Sequence, residues 1–277
     1  MKLFLTLLIS VTLLSCSRLD IALNYAPRYM ANQLDENFDL SSERYEKLKS
    51  RMEADIRQNK KQIVNAVVQT LDEVKALAEK KSAVSPDEIR SLNLKVRDLQ
   101  RQGVYLFKPS FAELILPLKP PEIKSLTENS QERFEKSQKR LQNPDEYIER
   151  TMKSFNRVMG FMFDSASAEQ KKVYRNFVTN NMDYFRLHLE HRKSHINQFN
   201  SLQSEKENLL QYSLAFYAGE ESAKSETFRA RQQKYFADLI DLQIEIWKLC
   251  STEQITEFIK NINNLKADLQ KWSEAQS

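Results

Sequence analysis

Residues 45–74 read YEKLKSRMEADIRQNKKQIVNAVVQTLDEV. Within them Tyr45, Leu48, Met52, Ile56, Ile63, Val67, Leu71 and Val74 recur at spacings of three, four or seven, the repeat of one face of an α-helix. The stripe runs for roughly eight turns. A helix with so long an apolar face must bury it against another element. Two further stripes follow the same rule, one through Phe228, Tyr235, Leu239, Leu242, Ile246 and Leu249 and one through Phe177, Phe185, Ile196 and Phe199. Few stretches alternate with period two.

Composition agrees with helices. The chain has 277 residues, of which only 3 are Gly and 7 are Pro, with 41% hydrophobic and 29% charged. Those proportions exclude collagen-like, disulfide-framework and Pro/Gly-rich disordered classes. They also leave too few turn residues for a sandwich or barrel. The length allows one or two helical units. With 42 basic against 38 acidic residues the net charge is +4, without the concentrated basic stripe of a nucleic-acid binder, so no nucleic-acid partner is expected.

Punctuation marks the helix ends. Gly103, Gly160 and Gly219 each follow an apolar-periodic run, where glycine can take the left-handed conformation that closes a helix, so each is expected to be a stop. Ser85-Pro86-Asp87-Glu88 reads as a start, with a capping serine, proline at the first helical position and Glu three residues on. Ser167-Ala168-Glu169-Gln170 and Ser251-Thr252-Glu253-Gln254 repeat the box without proline, and Ser41-Ser42-Glu43 and Lys119-Pro120-Pro121-Glu122 are looser versions. Their uneven spacing argues against a solenoid repeat. Residues 108–121, with Pro109, Pro117, Pro120 and Pro121 around Phe111 to Leu116, read as a short buried helix between turns. Residues 219–225 form a polar connection, and no proline follows Pro144. The expected fold is all-α, an elongated bundle of long antiparallel helices.

The N-terminus carries an address. Met1-Lys2 precedes an apolar run from Leu3 to Leu14, then Ser15-Cys16. The run is too short to span a bilayer and has the charged start and apolar core of a secretory signal. Leu13-Leu14-Ser15-Cys16 resembles a bacterial lipobox, which implies diacylglycerol on the Cys16 thiol, cleavage before it and acylation of the new N-terminus. Several acyl chains anchor durably, at about 0.8 kcal/mol per buried methylene. Ser17 in place of Asp after the cysteine implies, by the enterobacterial sorting rule, the periplasmic face of the outer membrane. The organisation is then a signal peptide at 1–15, a lipidated N-terminus and docking arm at 16–40 containing Leu23, Tyr25, Pro27, Tyr29, Leu34 and Phe38, and a helical domain at 41–277. Lipid on Cys16 leaves Cys250 alone, so no internal disulfide forms in the mature chain. Cys250 closes a stretch with Ile246, Trp247 and Leu249, and reads as a small buried hydrophobe.

The order of several segments carries a resemblance: Cys16-Ser17-Arg18-Leu19 with Tyr25, Phe38-Asp39-Leu40-Ser41, Ser85-Pro86-Asp87-Glu88 followed by Phe111-Ala112-Glu113-Leu114, then Ser167-Ala168-Glu169-Gln170 and Ser251-Thr252-Glu253-Gln254. Together they resemble a family of uncharacterised all-helical lipoproteins of Gram-negative bacteria, a domain of unknown function. The resemblance spans most of the mature chain and implies a lipid-anchored helical body, with no biochemical activity to carry over. Where members often have tryptophan in the arm after the lipid cysteine, this chain has Tyr29 and Met30.

Few constellations could carry chemistry. His188, His191 and His195 are the only histidines, and their spacing puts all three on one helical face. Three imidazoles so placed could bind zinc or copper, but no carboxylate shares the stripe. They read instead as packed histidines, with a proton-sensitive interface as the other alternative. No Gly-x-Ser-x-Gly, phosphate loop or His-Glu-x-x-His occurs. Glu220-Glu221-Ser222 is superficially similar to the Glu-Ser of helical peptidoglycan-cleaving enzymes, without their downstream glycine-rich segment. Asp238 and Asp241 read as a solvated helix face. The Ser-x-Glu-Gln starts faintly resemble the Leu-Thr-x-x-Gln motifs of small periplasmic helical chaperones. A basic run at Lys47, Lys49, Arg51, Arg57, Lys60 and Lys61 is interspersed with acids. The expected function is lipid-anchored, non-catalytic binding or scaffolding in the cell envelope, with no cofactor and with an envelope protein as partner. The alternative is a periplasmic chaperone or envelope-stress sensor, and a peptidoglycan-cleaving enzyme is a distant third.

Overall fold

Side-chain caps set where the helices begin. Ser85, Ser167 and Ser251 each accept from the backbone N–H three residues on, while Glu88, Gln170 and Gln254 reach back to the N–H of the capping serine, satisfying donors that a helix start leaves open. Ser41 accepts from Arg44, and the Glu122 carboxylate accepts from the N–H of Lys119. Two further side-chain caps were not expected from the sequence: Asn143 caps through its side-chain oxygen ahead of Pro144, and Ser225 caps onto Phe228.

The computed structural model describes residues 17–80 and 83–275, with side chains from Leu23 onward. Among them are α1 (Ser17–Phe38), α2 (Ser42–Glu79), α3 (Pro86–Leu106), α4 (Lys108–Ile115), α5 (Pro120–Leu141), α6 (Pro144–Phe163), α7 (Ala168–Asn180), α8 (Met182–Ser201), α9 (Lys206–Ala218), α10 (Glu226–Lys248) and α11 (Thr252–Glu274), with one 3-10 turn at Glu221–Ala223 and no strand. The fold is all-α. None of the described helices is long and apolar enough to cross a membrane. The candidate signal segment and Cys16 lie outside the described residues.

Of the three glycines expected to be stops, only Gly219 is one, at φ 71° past the end of α9. Gly103 lies inside α3 and Gly160 inside α6. An interior glycine costs a helix about 1 kcal/mol. Continuing the α6 helix to Phe163, which is buried, outweighs that. The stripe through Phe177 and Phe199 is also broken, since Asn181 separates α7 from α8.

The long second helix organises the core. Its first half sends Leu48 and Met52 into a cluster with Ala31 and Phe38 of α1, Leu114 and Ile115 of α4, and Leu209 and Leu214 of α9. Its second half sends Val64, Leu71 and Ala78 into another, with Met159 and Phe163 of α6 and Phe258, Ile262 and Trp272 of α11. A third cluster joins α5, α6, α7 and α8 through Phe134, Ile148, Met152, Val178 and Leu189. A fourth, smaller and aromatic, is built on Tyr184, Phe228 and Tyr235. α1 packs against α2, α5 and α11, and the indole N–H of Trp272 donates to Asn24 at 3.0 Å.

Candidate functional site

The three histidines lie on α8, and each meets rings from neighbouring elements. His195 is buried and lies face to face with Phe216 of α9, ring centroids 3.4 Å apart and planes 5° apart. Its Nδ1 is 3.2 Å from the Tyr212 hydroxyl, where either group can donate. His191 stacks at 4.0 Å on Phe228 of α10. His188 lies at 5.9 Å from the same ring and 6.0 Å from Tyr184, which in turn stacks on Tyr235 at 3.9 Å. The result is a ladder of imidazoles and aromatic rings along the seam where α8 meets α9 and α10.

Burial sets the electrostatics of this ladder. It holds the pKa of His195 down at about 3, with the His191 and Arg192 charges acting in the same direction. Burial also lowers His191, assisted by the ammonium of Lys224, which pairs with Glu221 at 2.8 Å. Neutral imidazoles pack flat on aromatic faces without an ion's desolvation cost. Among the described residues no group of three or more His, Cys, Asp or Glu side chains is arranged to hold a metal ion. The histidines are brought together as packing partners of other rings.

A second polar constellation was not foreseen. The glutamines of two capping boxes meet: Gln170 donates to Gln254 Oε1 at 3.3 Å, and Gln254 donates to Gln170 Oε1 at 3.1 Å. Gln170 is completely buried, and its amide also lies 3.5 Å from the Ile246 carbonyl and 3.4 Å from Cys250 Sγ. Gln254 further donates to the Ser165 carbonyl at 2.8 Å. The N-termini of α7 and α11 are thereby tied together, and α7 also packs on α10 while α11 packs on α6. Cys250 is half-buried, its thiol pushed up to about 11 mainly by burial, so it is a poor nucleophile at neutral pH. The repeated Ser-x-Glu-Gln was the available signal, but local spacing does not tell which two helix starts face each other.

Several other charged residues are held in structural contacts, while Arg57, Lys61 and Asp241 are exposed. Asp55, completely buried, accepts from Arg51 Nε at 3.0 Å and from the N–H and hydroxyl of Ser110 at 3.0 and 2.6 Å, clamping α4 on α2. In the basic run, Lys47 pairs with Glu43 and Lys49 with Glu46. Lys60 is buried, donates to the Ala275 carbonyl at 3.0 Å and lies 4.7 Å over the Trp272 ring. Glu220 accepts from the Tyr105 hydroxyl at 2.5 Å, Glu221 pairs with Lys224, and Asp238 pairs with Lys234. On α1, by contrast, Tyr25 and Tyr29 are 57% and 56% exposed. No protein-family model, curated protein or solved structure matches the chain.

Proposed function

We propose that this is a lipid-anchored, non-catalytic protein of the Gram-negative envelope, held on the periplasmic face of the outer membrane through Cys16 and acting there as a binding or scaffolding body. The observation that carries this reading is the placement of α1. The helix begins at Ser17, directly after Cys16, and is packed on α2, α5 and α11 with Ala31 and Phe38 buried. An acyl group on Cys16 would therefore hold the helical body close to the membrane, without a flexible tether between them. The use of buried polar groups as clamps supports the non-catalytic reading: Asp55 fastens α4, Gln170 joins two caps, and His195 sits in an aromatic stack.

An elongated, largely antiparallel bundle is the shape that fits this role. The 38 residues of α2 make it about 57 Å long. A compact domain of this chain length has a radius of gyration near 19 Å, roughly 48 Å across if spherical. A helix longer than that diameter favours an extended body with room for a partner along its side.

The test is expression of the full chain in a Gram-negative host with mass analysis of the mature N-terminus. Wild-type protein is expected to begin at acylated Cys16 and partition into detergent, and Cys16→Ala is expected to abolish both. A mature wild-type chain with a free thiol at Cys16 would overturn the reading. Co-purification after mild crosslinking separates the roles: a scaffold yields one or two defined envelope partners, a chaperone many unfolded clients, and a peptidoglycan-cleaving enzyme neither.

A further inference from the structure

We infer that the exposed face of α1 formed by Tyr25, Arg28 and Tyr29 rests on lipid headgroups, so that this helix lies along the bilayer surface. This deepens the anchor reading above and depends on it. Tyr25 and Tyr29 are the two most exposed of the large hydrophobic side chains described, at 57% and 56%. They are one turn apart, with exposed Arg28 between them. The opposite side of the helix is already committed, with Ala26, Ala31 and Phe38 buried. Further along, the exposed positions turn polar: Asn32 accepts from the Tyr45 hydroxyl, and Glu36 is exposed. The aromatic part of the face thus lies around the middle of α1, ahead of its polar C-terminal end.

The chemistry of this patch matches a membrane interface. Tyrosine presents an apolar ring and a polar tip, which suits the boundary between acyl chains and water. Arginine can lay its stem on apolar surface while its charge meets anionic headgroups. Positive charge also approaches the middle of the helix, where Trp272 bonds to Asn24 and Lys60 lies over the Trp272 ring; Lys61 and Lys271, the sequence neighbours of these two, are exposed. Glu274, two residues after Trp272, is exposed and carries the opposite charge.

Headgroup contact by both tyrosines requires one orientation. Tyr25 and Tyr29 follow Cys16 by nine and thirteen residues, about 14 and 20 Å along a helix. Each headgroup layer is only about 5–8 Å thick. A helix standing on its anchor would lift both tyrosines out of that layer, whereas a helix lying flat keeps them at the depth of the anchored end. The occupant of this face is the lipid surface itself.

The test uses the lipidated full chain in vesicles of phosphatidylethanolamine and phosphatidylglycerol containing lipids with a nitroxide on the headgroup. An environment-sensitive fluorophore is placed by Tyr25→Cys, Tyr29→Cys or, as a control on α10, Lys234→Cys, each with Cys250→Ser. Several-fold stronger quenching at positions 25 and 29 than at 234 is expected. Equal quenching at all three in a chain whose mass confirms lipid on Cys16 overturns the orientation and leaves the anchor standing. Quenching at 25 without quenching at 29 indicates a helix tilted away from the surface and also overturns it. A free thiol at Cys16 removes the anchor and this inference together.

Discussion

Replacing His195 by phenylalanine should make the fold less sensitive to acid. In the folded protein burial keeps the imidazole neutral down to about pH 3, whereas in the unfolded chain it takes up a proton near pH 6.5. Between those values the unfolded chain binds more protons, so stability falls as pH falls. At pH 5 the unfolded imidazole is protonated by a margin of 1.5 pH units, and at about 1.36 kcal/mol per unit the folded state loses about 2 kcal/mol relative to pH 8. His191, also lowered by burial, acts in the same direction. Carboxylates held low add an acid loss of their own. Asp183, kept at about 2 chiefly by its hydrogen bond from Arg231, contributes stability that is lost as pH drops through that range. The informative quantity is therefore a difference between proteins. His195→Phe retains a ring against Phe216 and loses the contact to Tyr212, so its stability at pH 8 is its own reference. Its stability should nonetheless fall by about 2 kcal/mol less than wild type between pH 8 and pH 5. Urea unfolding followed by circular dichroism at the two pH values measures this directly. Equal losses in the two proteins would refute the assignment of a buried, neutral His195.

The paired glutamines should be energetically coupled. Gln170→Ala removes a cap and a buried hydrogen-bonded amide, an expected cost of about 2–4 kcal/mol, and a double-mutant cycle with Gln254→Ala should give a coupling of at least about 0.5 kcal/mol; additive losses would show that the two caps act separately. Gly160→Ala should stabilise by about 0.5–1 kcal/mol, because the position is helical and a Cβ there meets nothing within 4 Å; a lower thermal midpoint would contradict that geometry. Zinc or copper should leave the melting temperature unchanged, and His191→Ala should lower it with or without metal, since removal of that ring uncovers Phe228. A metal-dependent rise that disappears in His191→Ala would instead identify a native-state metal site.

Much of the helix inventory was legible because its causes are local. The stripe from Tyr45 to Val74 has enough turns for periodicity to speak without ambiguity, and it lies in the single helix Ser42–Glu79. The serine boxes were readable because a cap needs only a side chain and a donor three residues away. Glycine was less dependable. Gly219 terminates α9, but the apolar residues after Gly160 continue α6 into the core, and the gain lies in tertiary contacts that a local rule does not see. The break at Asn181 is of the same kind: Phe177 and Phe185 keep helical spacing on either side of it, yet belong to two helices, and both rings reach Tyr235 of α10 across the break.

The candidate site shows why spacing alone could not separate a metal ligand from a packing residue. Helical periodicity puts His188, His191 and His195 on one face, and that is a requirement of both roles. The difference lies across the seam, in what α9 and α10 bring to meet them. Phe216 and Phe228 are 21 and 37 residues beyond His195 and His191, and their register against α8 depends on where α8 ends and how α9 turns back. Had a carboxylate stood in place of Phe228, the same stripe could have made a cation site. With an aromatic ring there, charging His191 would also set it against Lys224. The seam therefore favours uncharged imidazoles for two independent reasons, burial on one side and an ammonium on the other.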